Sequence, residues 1–228
     1  GVRLKGHGTS PCDLDFRTMQ QWYRSVLRGW DVLHHICEKV AVVGFSMGGN
    51  LGLMLAEEKG NAVNGLVTIS TPMKIHDKNI IFANLVYQIN KLVSTLRYVH
   101  GIKRFKKSNP ENPDINYQNI PISAIKEFKE TMDRTHDVLP EVYCPTLILQ
   151  GKDDPTVDPV SAQMMYEKLA SHEKKVVMVE EGRHVIVLEK GSRVHQEVLQ
   201  FLTGLAGPPL PAAPPETRKE YSEIPGSP

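Results

Sequence analysis

Apolar positions change period along the first seventy residues in a way that separates helices from strands. The short run at residues 2–4 reads as the end of a strand, followed by a polar loop over residues 5–11. Phe16, Met19, Tyr23, Val26, Trp30, Leu33 and Cys37 then recur three and four residues apart, which sets them on one face of a long helix. Residues 39–44 form a short apolar strand. Residues 47–59 read as a helix stopped near Gly60, and residues 63–69 as a second apolar strand stopped by Ser70-Thr71-Pro72.

Residues 73–140 break this rhythm. Ile80, Ile81, Leu85, Ile89, Leu92 and Leu96 keep a helical period, a polar Pro- and Asn-rich loop covers residues 108–121, and a helix follows near residues 123–133. The stretch reads as an inserted helical cap. The alternation then resumes: strand 146–150, helix 159–170, strand 175–179 and a final helix over 192–205. Strands alternating with helices imply an α/β fold, a mostly parallel sheet with helices on both faces. The expected division is a core of residues 1–72 and 141–205, a cap of 73–140 and a tail of 206–228. The tail opens Gly-Pro-Pro-Leu-Pro-Ala-Ala-Pro-Pro and carries too few apolar residues to offset its ordering entropy, so it is expected to be extended or disordered. A second use, as a Pro-rich ligand for another protein, stays open.

Composition narrows the function. With 228 residues the chain makes one domain, or one domain with an insertion. Apolar residues at 40%, charged residues at 23% and a net charge of +1 fit a soluble protein and exclude nucleic acid as the main partner. The basic cluster Lys103, Arg104, Lys106, Lys107 reads as a solvated stretch. Cys12, Cys37 and Cys144 are odd in number and lack metal-ligand spacing, which suits a reduced, cytoplasmic protein with buried thiols. No apolar run reaches about 18 residues, so no stable membrane anchor is expected. No signal peptide is visible in a chain that opens with Gly1.

Gly44-Phe45-Ser46-Met47-Gly48 matches G-x-S-x-G. Alone the match is weak, arising by chance in about one chain of this length in ten. Its setting between a strand and a helix is what a nucleophile elbow requires. Ser46 stands at the tip of the turn. Gly44 and Gly48 flank it because a side chain at either would collide with the turn. The N–H of Met47 opens the helix, where it can meet a developing oxyanion.

A serine hydroxyl needs a base, and in this arrangement the chain order is Ser, acid, His. The loop after strand 146–150 carries Asp153, Asp154 and Asp158, and the loop after strand 175–179 carries His184. Both loops fall at the carboxyl ends of parallel strands, where such sites gather. Asp154 is the fourth residue of Gly151-x-x-Asp, just past the strand end. Asp153 is expected to point away and Asp158 to cap the next helix. His34 and His35 lie on the long helix, while His136 and His172 look like surface positions.

These residues resemble the α/β-hydrolase superfamily and, within it, bacterial carboxylesterases related to monoacylglycerol lipases. The likeness covers about residues 1–204 and rests on Lys5-Gly6-His7-Gly8, on Gly44–Gly49, on residues 145–154 and on Gly182-Arg183-His184-Val185-Ile186. It implies Ser46 as nucleophile, Asp154 as acid, His184 as base and Met47 as oxyanion donor, with a helical cap between the sixth and seventh strands of the sheet. It implies no metal or organic cofactor. The family also has an upstream His-Gly-aromatic turn that supplies a second oxyanion donor. His7-Gly8 is not that turn, so on the resemblance the N-terminal strands are missing and the second donor is not located.

Two functional readings follow. One is a serine carboxylesterase acting on a small-molecule ester, short- to medium-chain or a monoacylglycerol, with thioesterase and acyltransferase as close variants. Ile80, Ile81, Phe82, Leu85, Val86 and Leu92 would then meet an acyl chain or simply pack the cap onto the sheet. The other is a truncated, catalytically weak hydrolase domain with a binding role. Acyl length, alcohol preference and oligomeric state do not follow from the sequence.

Overall fold

The computed structural model describes residues 1–95, 104–108, 110, 116–189 and 193–207. Leu96, Lys103 and the tail from residue 208 lie outside these, as does the side chain of Ile81.

In chain order the elements are α1 (Pro11–Leu14), α2 (Met19–His34), β1 (Val40–Phe45), α3 (Met47–Lys59), β2 (Val63–Ile69), α4 (Ala83–Thr95), β3 (Phe105–Lys107), β4 (Asn119–Pro121), α5 (Ile122–Val138), β5 (Thr146–Gly151), α6 (Val160–Lys168), β6 (Lys174–Val179) and α7 (Arg193–Ala206). Among the described residues the main sheet is β1-β2-β5-β6, parallel throughout, and β3 and β4 form a small antiparallel pair.

The long first helix begins later than its apolar period suggested. Thr18 and Gln21 form a reciprocal capping box that fixes the start of α2 at Met19, so Phe16 falls outside it and stands 70% exposed. Leu33 and Cys37, at the far end of the stripe, are exposed as well, and the buried side chains of α2 are Trp22, Ser25 and Trp30. Val2–Leu4, expected as a strand end, pairs with no described strand. The His7 N–H closes a turn on the Leu4 carbonyl at 3.1 Å, and the Val2 side chain lies against Gly29 of α2.

β2 and β5 lie at the centre and are buried almost throughout, while β1 and β6 are partly exposed. This is why the central strands read as continuous apolar runs. Leu66 and Ile148 pack with Leu53, Leu55 and Ala56 of α3 and Met165 of α6 on one face. Val67, Ile69, Leu147 and Leu149 pack with Ile186 and with Val194 of α7 on the other. Each such valine, leucine, isoleucine or methionine side chain contributes about 1.5–3 kcal/mol on burial. The layers thereby fix the carboxyl ends of β1, β5 and β6, where the candidate site residues stand.

α3 is buried from Gly49 to Ala56 because α2 and α5 cover the side that the sheet leaves free. A helix covered all round has no need of a polar face. Of the described apolar residues in the stretch between β2 and β5, Phe82, Leu85, Ile89, Leu92 and Tyr143 are exposed, Phe82, Leu85 and Leu92 by 58%, 57% and 62%.

The cysteines depart from expectation. All three are free, but only Cys144 is buried. Cys12 lies exposed in the single-turn α1, and Cys37 lies exposed beyond the end of α2. The basic stretch is also less bare than expected: Arg104 pairs with Asp15 at 2.7 Å, and Lys106 with Asp77.

Candidate active site

Ser46 links β1 to α3 with φ 50° and ψ −125°. A non-glycine residue held there costs about 1–3 kcal/mol and persists only where its surroundings impose it. Here the Ser46 N–H donates to the Ile69 carbonyl at 2.8 Å, and the Gly49 N–H donates to the Ser46 carbonyl at 2.9 Å. The turn is also tightly packed. A β-carbon on Gly44 would lie 2.4 Å from the Gly48 carbonyl oxygen, and one on Gly49 would lie 1.8 Å from Thr71 Oγ1. Gly48 differs from what was expected, because nothing lies within 4 Å of its would-be β-carbon. The crowding falls on Gly44, which needs the Gly48 backbone close by, and on Gly49, which the sequence motif did not single out. Met47 is the first residue of α3, so its N–H is one of the first-turn donors that have no intrahelical acceptor.

Asp154 stands three residues beyond β5, with its carboxylate buried. Oδ1 accepts from the N–H groups of Thr156 and Val157 at 2.8 and 2.9 Å. Oδ2 accepts from His184 Nδ1 at 2.8 Å and from Gln150 Nε2 at 3.1 Å. Burial pushes this carboxyl upward. The hydrogen bonds from His184 and from the Val157 and Thr156 N–H groups outweigh it and hold Asp154 below the ordinary carboxylate range. Asp153 is exposed. Asp158 accepts from the Val160 N–H at 3.1 Å at the start of α6 and pairs with Lys74 at 2.8 Å.

His184 follows β6 after a turn in which Glu181 takes φ 52°. The two loops are laced together, with Lys152 N–H donating to the Val179 carbonyl and Asp153 N–H to the Gly182 carbonyl, both at 3.0 Å. The imidazole packs near the Phe45 ring, centroids 5.2 Å apart. Its Nε2 lies 3.1 Å from Ser46 Oγ. A carboxylate only accepts, so the hydrogen sits on Nδ1 and leaves Nε2 bare to accept the Ser46 hydroxyl.

Ser46, Asp154 and His184, drawn from three separate stretches of sequence, thus meet at the carboxyl ends of β1, β5 and β6. Among the described residues, no other histidine bonds to the Ser46 hydroxyl or to the Asp154 carboxylate. His7 packs edge-on against Trp22, His34 stacks on Trp30, and His172 is exposed. His136 corrects the surface reading, being half-buried with Nε2 on the Met73 carbonyl at 2.9 Å. Two neighbours were not singled out from the sequence. His76 Nε2 donates to the Asp154 carbonyl at 3.2 Å, and Gln150 reaches the Asp154 carboxylate. The only sequence signal for Gln150 was a polar residue ending an apolar strand.

A parallel sheet covered on both faces, with a strained serine between strand and helix, defines an α/β-hydrolase. The chain belongs to the Hydrolase_4 family, described as serine aminopeptidase, S33, whose model matches residues 3–191. It is 26% identical over 208 residues to a carboxylesterase of Bacillus subtilis (strain 168), covering 89% of this chain and 80% of that protein. It is 29% identical over 206 residues to a thermostable monoacylglycerol lipase of Bacillus sp. (strain H-257), covering 90% and 79%. Among solved structures, one from work on two metagenome-derived lipolytic enzymes superposes with a TM-score of 0.75 at 21% identity, covering 90% of this chain and 80% of the other. A soluble variant of monoglyceride lipase from Saccharomyces cerevisiae superposes with a TM-score of 0.69 at 15% identity, covering 88% and 75%. The protein is an α/β-hydrolase related to monoacylglycerol lipases. Among its described residues no helix is long and apolar enough to cross a membrane.

Proposed function

We propose that the protein is a serine carboxylesterase that cleaves carboxylic esters, short- to medium-chain acyl esters or monoacylglycerols, through an acyl-enzyme on Ser46. The observation that carries this reading is the pair of contacts made by one imidazole, 3.1 Å to Ser46 Oγ and 2.8 Å to Asp154 Oδ2. In the proposed reaction His184 Nε2 takes the proton of Ser46 as Oγ bonds to the ester carbonyl carbon. Asp154 holds the tautomer and stabilises the imidazolium that forms. The Met47 N–H donates to the oxyanion. The imidazolium then gives its proton to the departing alcohol oxygen as the ester C–O bond breaks. A water deprotonated by the same nitrogen then attacks the acyl carbon, the bond from Ser46 Oγ to that carbon breaks, and the imidazolium returns its proton to Oγ as the acid leaves. The carboxylesterase and monoacylglycerol lipase among the relatives support an ester as substrate.

The cap reading of residues 73–140 belongs to the same proposal. Phe82, Leu85 and Leu92 present exposed apolar side chains of the kind an acyl chain would meet. Fluorophosphonate labelling, followed by p-nitrophenyl esters of graded chain length, tests the reading. The expected result is labelling that an ester substrate competes away, and a turnover optimum at one acyl length. A protein that neither labels nor cleaves any of these esters would instead support the binding role.

A further inference from the structure

Gln150 is fully buried in β5, between Leu149 and Gly151. A primary amide placed there costs free energy unless its polar groups are bonded. Its nitrogen is: Nε2 donates to Asp154 Oδ2 at 3.1 Å and to the Gly151 carbonyl at 3.2 Å. Oε1 has no hydrogen-bond partner among the described residues. The sense of the amide follows from its neighbours. Both are acceptors only, so turning the group over would set its oxygen against a carboxylate and a carbonyl.

Oδ2 is also the oxygen that takes the Nδ1–H of His184. The torsion that turns a carboxylate about its own axis is soft and broad. Oδ1 is tied by two backbone N–H groups of its own loop, whereas Oδ2 is tied to the rigid sheet through Gln150. We propose that Gln150 is a positioning residue, whose amide keeps Asp154 Oδ2 aimed at His184 and through it at Ser46. The inference rests on the triad reading given above. Gln150 acts on the reaction only through Asp154 and need not touch the ester.

Two substitutions separate this role from simple packing. Gln150→Met keeps the length and donates nothing, while Gln150→Asn keeps the amide but is one methylene too short to reach. Each is expected to lower kcat on a p-nitrophenyl ester by about 10- to 100-fold, with KM changed by less than about threefold. The fluorophosphonate labelling rate falls by a similar factor. In an Asp154→Asn background, Gln150→Met is expected to cost nothing further, because the carboxylate it would hold is gone. Where Gln150→Met does not fold, Gln150→Asn carries the same cycle. A kcat near wild type in either folded variant overturns the inference, as does an equal loss with and without Asp154. If Asp154→Asn itself leaves the rate unchanged, the triad reading fails first. A large Asp154→Asn loss beside a fully active Gln150 variant defeats this inference alone.

Discussion

The backbone at Gly182 crosses Gly151 so closely that a β-carbon on Gly151 would lie 2.1 Å from the Gly182 carbonyl oxygen. That crossing brings the loop of His184 over the loop of Asp154. Gly151→Ala must push the two apart, since both contacting groups are backbone. The expected cost is about 1–3 kcal/mol of stability, typical of overpacking. Turnover should fall by more than about tenfold, because small displacements of reacting groups are costly. Thermal unfolding and ester kinetics on the same preparation check this, and an alanine variant as stable and active as wild type would show that the loops are not locked here.

The elbow separates two adjacent glycines. Gly48→Ala places its methyl in open space on a helix, so the melting temperature should hold or rise, in line with about 0.5–1 kcal/mol from helix preference. Gly49→Ala drives a methyl into Thr71 Oγ1 and should cost about 1–3 kcal/mol. Calorimetry of both variants decides the matter, and the reverse order would be inconsistent with the packing described here.

The acid can be assigned by a pair of conservative changes. Asp154→Asn should reduce turnover by about 10⁴-fold, since an amide favours the wrong tautomer of His184. Asp153→Asn alters an exposed side chain and should leave kcat nearly unchanged. Were the two results exchanged, Asp153 would be the acid.

Much of this was legible in the sequence because the signals were local. The capped end of α3 at Gly60, the β2 run and the order of serine, aspartate and histidine after strand ends could all be read from period and punctuation. What escaped was set by tertiary contact. The start of α2 depended on a capping box that an apolar stripe does not reveal. Gly48 and Gly49 look alike in sequence, and only the passing Thr71 hydroxyl distinguishes them. Gln150 looked like the polar end of a strand until the fold set its amide on a carboxylate four residues away. Exposure of Cys37 likewise follows from α2 ending at His34, before the apolar stripe does.

Asp154 also gives the fold a pH dependence of known sign. Its carboxyl is held below the ordinary range in the folded protein, so the folded state favours the ionised form. That stabilising contribution is fully present above the unfolded carboxylate value of about 4 and is lost as pH falls through the lower folded value. Urea titrations of wild type and Asp154→Asn from pH 7 down to about 3 should therefore show wild type losing stability relative to the variant on acidification. A difference that is constant over that range would mean the carboxylate is not favoured by folding.

The central claim is an acyl-enzyme on Ser46, and mass spectrometry of the trapped adduct tests it most directly. The protein is mixed with a p-nitrophenyl ester, quenched in acid during turnover and digested for peptide mapping. The expected result is one adduct of acyl mass on the peptide containing Ser46, absent from Ser46→Ala, whose turnover drops by about 10⁴-fold or more while its fold is kept. Turnover near wild type in purified Ser46→Ala, or an acyl group carried at another residue, would contradict it.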